Sequence, residues 1–149
     1  MRRLVGLLVL TLATFAGAQC FCPGGTFALA KPTKLTAQGA DVSATTFTGF
    51  SSVVAGYYRV CGYASVTRAA TTSSTLPGIT MTCTDPADSV AKTVKISATN
   101  TGNTTGTAVG GCGICDAKVS TAVQYGTSGW ASSGGTSMQF DVIFTLELL

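Results

Sequence analysis

Apolar and polar residues alternate along several segments of the chain, which is the pattern of half-buried β-strands. The clearest case is the C-terminal segment, in which every second residue is apolar: Met138, Phe140, Val142, Phe144, Leu146 and Leu148. Gln139, Asp141 and Glu147 lie on the opposite face. This segment predicts a strand of about a dozen residues, which is long for a strand. We predict that its apolar residues form an interface strand, unless they lie in the core of their own chain.

Weaker alternation recurs in the middle of the sequence. Ile79, Met81 and Cys83 alternate with threonines, which predicts a strand with Cys83 on its buried face. Segments Val90–Ala98 and Val119–Tyr125 also place their larger apolar residues on one face. Strands, not helices, are therefore the expected elements throughout the domain.

The segment Val53–Val66 predicts one long or two short strands, in which Tyr57 and Tyr58 point to opposite faces. Glycine-, serine- and threonine-rich stretches separate the strands, and we expect disorder within Thr99–Gly111 and Gly129–Ser137. Short strands with turn signals at near-regular spacing favour a β-sandwich. The predicted fold class is an all-β, immunoglobulin-like antiparallel sandwich stapled by disulfides.

The N-terminus has the three parts of a secretory signal peptide. Arg2 and Arg3 precede an apolar run from Leu4 to Phe15, and the small residues of 16–18 follow. The run is too short to cross a bilayer, which requires about 20 apolar residues. We therefore predict a signal peptide at 1–18 and a single mature domain at 19–149. The mature protein is expected to be secreted, periplasmic or at the cell surface, with no membrane span.

All six cysteines lie in the predicted mature domain: Cys20, Cys22, Cys61, Cys83, Cys112 and Cys115. An even number in an exported domain is typical of a disulfide framework, although six cysteines allow 15 connectivities. The preferred scheme closes Cys112–Cys115 locally and pairs Cys20 and Cys22 with Cys61 and Cys83, in either order. Two alternatives use the Cys112-x-x-Cys115 spacing differently, in thiol–disulfide exchange or in a four-thiolate zinc site completed by Cys20 and Cys22.

Composition argues against catalysis and against nucleic-acid binding. The chain has no histidine, the commonest general base. Its net charge is +3, of which Arg2 and Arg3 supply two, and the remaining basic residues are scattered. Asp85 and Asp88 could flank a glycosidic bond or hold Ca²⁺, but a solvated turn is the simpler interpretation. We predict no enzymatic activity, no cofactor and no metal.

Two polar loops contain residues that suggest ligands. Trp130 stands alone in a Ser/Gly-rich loop, where it would either contact a ligand by stacking on a sugar ring or fold back over the edge of the core. Asn103 begins an Asn-Thr-Thr glycan acceptor pattern, which is short and frequent by chance.

From Gly78 to Asn103 the sequence runs Gly-Ile-Thr-Met-Thr-Cys-Thr, then a polar turn, then Thr-Val-Lys-Ile-Ser-Ala-Thr-Asn-Thr-Gly-Asn. This segment resembles the middle of the spore-coat-U type of secreted domain, found among subunits of chaperone–usher pili, and the closing strand is similar to the C-terminal strand of that family. The resemblance implies an incomplete immunoglobulin-like sandwich, completed by a strand from another protein subunit or a periplasmic chaperone. Such pilins carry a donor strand before their first cysteine, whereas here only Gln19 would precede Cys20. Either the donor lies after Cys22, around Thr26–Leu29, or the protein does not polymerise in that way.

These observations predict a secreted structural or surface-appendage subunit without catalytic activity. The alternatives are a monomeric secreted binding module for carbohydrate or another surface ligand, and an extracytoplasmic thiol–disulfide protein.

Overall fold

The computed structural model describes residues 27–28, 30–47 and 54–149. The predicted signal peptide, Cys20 and Cys22 lie outside these ranges. The described residues form strands and loops without a helix. The strands are β1 (Phe27–Ala28), β2 (Thr33–Gln38), β3 (Thr45–Thr46), β4 (Gly56–Arg68), β5 (Ser73–Leu76), β6 (Gly78–Thr84), β7 (Ala91–Lys95), β8 (Asn100–Thr101), β9 (Ala108–Ala117), β10 (Gln124–Ser128), β11 (Ala131–Ser133) and β12 (Gln139–Leu148).

The strands form three antiparallel sheets. In the largest sheet β12 pairs with β4 on one side and with both β1 and β2 on the other, and β9 follows β4. The second sheet has the order β3-β10-β6-β7, and a small third sheet has the order β11-β5-β8. The inner faces of the first two sheets pack together through β6, β4 and β9. The prediction of an all-β antiparallel sandwich is confirmed.

The final strand β12 runs through the middle of the largest sheet. Its inward side chains are fully buried: Met138 just before the strand, then Phe140, Val142, Phe144 and Leu146, with Leu148 partly buried at the end. Phe144 stacks on Tyr125 of β10 with ring centroids 4.4 Å apart, which joins the two sheets. The predicted strand is confirmed. Five of the six alternating apolar residues, however, are buried in the core of their own chain and Leu148 packs against that core, so they do not form an exposed interface strand.

Glycines allow the two sheets to approach closely on the inner side of β4 and β9. A Cβ atom on Gly62 would lie 2.8 Å from Cγ2 of Ile79, and one on Gly113 would lie 3.2 Å from Cε of Met81. Contacts this short would force the neighbouring side chains to move, which close-packed interiors resist. Gly113 of β9 is therefore a packing position. The prediction of disorder across Thr99–Gly111 is wrong, because β8 pairs with β5 and the first residues of β9 pair with β4.

The other differences from prediction also concern loops and edges. Segment Gly129–Ser137 is ordered around β11, which pairs with β5. All five residues of β7, the edge strand of its sheet, are exposed, so the half-buried strand predicted at Val90–Ala98 is only partly correct. Of Val119–Tyr125, only the last two residues belong to a strand. Tyr58 is buried and Tyr57 is exposed, as the alternation predicts.

Candidate functional site

The described disulfide joins Cys61 of β4 to Cys112 of β9. The two residues are directly opposed in the antiparallel pair, with Cα atoms 4.0 Å apart. Cys112 is exposed on the outer face of the sheet, whereas Cys115 is buried on the inner face. Residues three apart on a strand point to opposite sides. The predicted Cys112–Cys115 bridge is therefore wrong, and so is any pairing of Cys61 with Cys20 or Cys22.

The same geometry argues against both alternative interpretations of Cys112-x-x-Cys115, namely thiol–disulfide exchange and a four-thiolate zinc site. The Cys112 sulfur is already bonded to Cys61, so it is not available as a thiolate ligand beside Cys115. Burial raises the pKa of the Cys115 thiol strongly, whereas a reactive cysteine needs a lowered pKa and access to solvent. Within the described ranges, no group of three or more Cys, Asp or Glu residues has the geometry of a metal site.

Asp85 and Asp88 form the solvated turn that the sequence favoured. Asp85 accepts a hydrogen bond from the backbone N–H of Ala87, and Asp88 accepts one from Val90. Nζ of Lys92 lies 3.3 Å from Asp85 and 2.6 Å from Asp88. The hydrogen bond from Lys92 lowers the pKa of Asp88. A lysine cation therefore occupies the position between the carboxylates that Ca²⁺ would need.

Asn103 ties the loop before β9 to the rest of the domain. Its Oδ1 accepts hydrogen bonds from the N–H of Ala70 at 2.7 Å and from the hydroxyl of Ser74 at 2.8 Å. Its Nδ2 donates to the carbonyl of Ala70 at 2.7 Å. The amide thus has a structural role, and its use as a glycan acceptor stays a prediction.

Trp130 packs partly buried against the core edge, which is the second of its two predicted positions. Its indole N–H is buried without a hydrogen-bond acceptor among the described residues. Both carboxylate oxygens of Asp41 accept from the backbone N–H of Trp130, and one also accepts from Gly129, so this loop is fixed. Sugar stacking by Trp130 stays a prediction.

The middle of β9 has unpaired backbone groups on the side away from β4, whereas the carbonyls of Ala108 and Asp116 at its two ends accept hydrogen bonds from Asn100 and Cys83. Just beyond the last pair of the β4–β9 ladder, Ser65 with Ala108, the N–H of Val66 donates to the carbonyl of Thr107 at 2.9 Å, so that carbonyl points toward β4. In an antiparallel ladder, hydrogen-bonded and non-hydrogen-bonded pairs alternate. The N–H and C=O groups of Gly110, Cys112 and Ile114 therefore point away from β4. Among the described residues none of these groups has a hydrogen-bond partner.

The free edge of β9 lacks the charges that usually protect an edge strand. Of its ten residues only Asp116, near one end, is charged. The corresponding edge of the second sheet, β7, is half as long and carries Lys92 and Lys95. Lysines on an edge discourage pairing with another strand. Of the two edges, β9 is thus the better template for an added strand.

Part of the outer face beside this edge is apolar, although Arg59, the register partner of Ile114, forms an ion pair there with Glu147. Tyr63 of β4 and Ile143 of β12 are opposed in register, with 53% and 38% of their surfaces exposed. They line a shallow depression of about 340 Å³ whose floor is the Cys61–Cys112 bridge and the glycines of β9. Ile114 lies farther along the same face and is 56% exposed. Edge and depression are adjacent, and together they form the candidate interaction surface.

The sequence hides this surface because the start of β9 falls within Thr99–Gly111, which was predicted to be disordered. One signal was available: Val109 and Ile114 are residue types that favour strands, although glycines lie between them.

Comparisons with known proteins give no relative for this chain: no protein-family model, curated protein or solved structure matches it. In the part of the chain that the structure describes, no helix is long and apolar enough to cross a membrane.

Proposed function

We propose that the protein is an exported structural or surface-appendage subunit, without catalytic activity, that pairs with a second copy of itself along the edge of β9. The observation that carries the proposal is the row of unpaired backbone groups at Gly110, Cys112 and Ile114. Such groups bind an extended segment by continuing the sheet. The predicted signal peptide and the resemblance to pilus-type domains support the same role.

A second copy of the chain fits this edge by charge. If two β9 strands pair antiparallel about Cys112, Asp116 of one copy lies opposite Ala108 of the other. The two Asp116 carboxylates therefore do not face each other across the new ladder. Directly opposed like charges would destabilise it. Strand addition from a donor around Thr26–Leu29 is less favoured, because Phe27 and Ala28 pair with Leu148 and Glu147 of their own chain.

The decisive variant is Ile114→Pro. The N–H of Ile114 points away from β4, so proline at this position leaves the β4–β9 ladder intact, as proline does on edge strands. Its ring occupies the space that the partner's carbonyl needs, and it removes one central donor. We expect the variant to fold and to associate at least about tenfold more weakly, since each hydrogen bond lost contributes about 1 kcal/mol. Light scattering and sedimentation of the purified mature protein measure this.

Two further variants control the experiment. Ile114→Val keeps the donor and should assemble like the wild type. Gly113→Pro removes an N–H that pairs with β4 and should destabilise the fold itself. A wild-type protein that stays monomeric at high concentration would overturn self-assembly, and assembly by Ile114→Pro equal to that of the wild type would exclude this edge.

A monomeric binding module is the second candidate, and the depression at Tyr63 favours it. An exposed tyrosine beside glycines can stack on a sugar ring, because the ring face is accessible and the hydroxyl is free to hydrogen-bond. A Cβ on Gly110 would lie 3.4 Å from Cδ2 of Tyr63, so the strand comes close to the ring on one side.

For this candidate, Tyr63→Ala is expected to abolish binding on a glycan array while leaving the fold unchanged. Tyr57→Ala is the matched control, since Tyr57 is exposed to a similar extent but lies outside the depression. An array on which the wild-type monomer binds nothing would reject the module, and equal losses in both variants would reject the depression as its site.

A further inference from the structure

The structure contains two buried thiols that the proposed function does not use. Cys83 lies on the inner face of β6 and Cys115 on the inner face of β9, with 4% and 8% of their surfaces exposed. They belong to different sheets, and 32 positions separate them along the chain, 115 minus 83. Each thiol is a hydrogen-bonding neighbour of the other.

The backbones of β6 and β9 converge at this point. The N–H of Lys118, just after β9, donates to the carbonyl of Thr84 at the end of β6 at 2.8 Å. The sulfur of Cys83 lies 3.7 Å from the carbonyl oxygen of Asp116, which is the residue after Cys115. Sheets in a sandwich are usually about 10 Å apart, too far for most cysteine pairs, so the convergence is what brings these two residues within reach of a bond.

We infer that Cys83 and Cys115 form a second disulfide, which joins the two sheets of the sandwich beside the free edge of β9. The inference goes beyond the proposed function and does not depend on assembly. It also replaces the predicted bonding of Cys83 to Cys20 or Cys22.

The reaction requires an oxidant that is itself a disulfide, such as glutathione disulfide. The thiolate of one cysteine attacks a sulfur of the oxidant and releases one thiol, which gives a mixed disulfide. The second cysteine, after losing its proton, displaces the other half of the oxidant as a thiol. Two protons and two electrons leave the protein, one S–S bond forms between Cys83 and Cys115, and the S–S bond of the oxidant is reduced.

A small cavity gives the oxidant a route to the thiols. It has a volume of about 190 Å³, opens between β7 and β9, and is lined by both cysteines together with Asp85, Lys92 and Asp116. Burial raises the pKa of both thiols, so oxidation of the folded protein is expected to be slow and to speed up with pH. Formation during folding, before the sheets close, avoids that barrier.

Peptide mapping under non-reducing conditions tests the inference on the exported wild-type protein. After alkylation of free thiols in denaturant, trypsin places Cys61 in peptide 60–68, Cys83 in peptide 69–92, and Cys112 with Cys115 in peptide 96–118. We expect one species in which all three peptides are linked. Linkage of 60–68 to 96–118 is the internal proof that the sample was oxidised. If that linkage is missing, the protein is first oxidised with glutathione disulfide until peptides 60–68 and 96–118 are linked, and the map is then repeated.

Two results would overturn the bridge. One is an oxidised sample in which peptide 69–92 is recovered alkylated. The other is linkage of 69–92 to the N-terminal peptide that contains Cys20 and Cys22. The variant Cys61→Ser/Cys112→Ser simplifies the map, because only a linkage of 69–92 to 96–118 then reports the second bridge.

The pH dependence of stability in that same variant gives an independent readout. In the reduced form, unfolded thiols lose their protons near their ordinary pKa of about 8.5, while the buried thiols keep theirs. The folded state then binds more protons than the unfolded state, so the urea midpoint should fall as pH rises above about 8.5. The charged or titratable groups that face the thiols are Asp85 just after β6, Lys92 on β7, Asp116 on β9 and Tyr58 on β4.

The bridged form has no thiol to titrate at these two positions. We therefore expect its midpoint to change much less between pH 8 and pH 9.5 than the midpoint of the sample kept in reductant. Equal pH dependence with and without reductant would contradict the inference.

Discussion

Replacing Phe144 by alanine is expected to lower the free energy of unfolding by about 3–5 kcal/mol. The side chain is fully buried, stacks on Tyr125 and lies beside Gly62, so its removal leaves a cavity between the two sheets. Tyr125 also meets the buried ring of Phe47 at 4.8 Å, and the cavity would therefore loosen a cluster of three rings. A domain of this size is stable by only about 5–15 kcal/mol, so a large part of its stability is lost.

Urea unfolding followed by tyrosine and tryptophan fluorescence measures this effect. Ile143→Ala is the matched control, because Ile143 is the neighbouring residue on the same strand and its side chain points outward. The control should lose no more than about 1 kcal/mol. Equal losses in the two variants would show that Phe144 does not occupy the core position described here.

Replacing Cys61 and Cys112 together by serine is expected to cost about 4 kcal/mol. The bridge closes a loop with a sequence separation of 51, and in the chain-entropy model a loop of that length constrains the unfolded chain by about this amount. Both side chains lie on the outer face, so serine replaces them without leaving a cavity in the core.

The difference in urea midpoint between this double variant and the oxidised wild type measures the contribution of the bridge. Thr145→Ser is the control, since Thr145 is the register partner of Cys61 on β12 and takes no part in the bridge. It should change stability by no more than about 0.5 kcal/mol. An unchanged midpoint in the double variant would mean that the bridge does not constrain the unfolded chain.

The predictable parts of the fold are the strands in which the type of each side chain, apolar or polar, indicates whether that residue is buried or exposed. On β12 and β6, large apolar residues alternate with polar ones, and this pattern alone indicates a strand and its buried face. The opposite exposures of Tyr57 and Tyr58 follow from the same rule. In β9 the inward positions include Gly111 and Gly113, which carry no side chain, so the period of two is hidden.

The candidate site was not predictable for a different reason. Whether β9 lies at an edge depends on the order of strands in the sheet, and no local pattern encodes that order. The same holds for the disulfide, because Cys61 and Cys112 meet only through the register of β4 with β9. Sequence spacing alone instead favoured Cys112 with Cys115, which the alternation of a strand places on opposite faces.

The Cys61–Cys112 bridge also determines how the edge strand would respond to a pulling force. A load applied to β9 from a neighbouring molecule reaches β4 through a covalent bond near the middle of both strands, not only through hydrogen bonds. The ends of β9 can be peeled back, but the strand cannot be stripped from the sheet past Cys112 while the bridge is intact. From β4 the load passes to β12 at the centre of the core, so tension at the edge is borne by the whole sandwich.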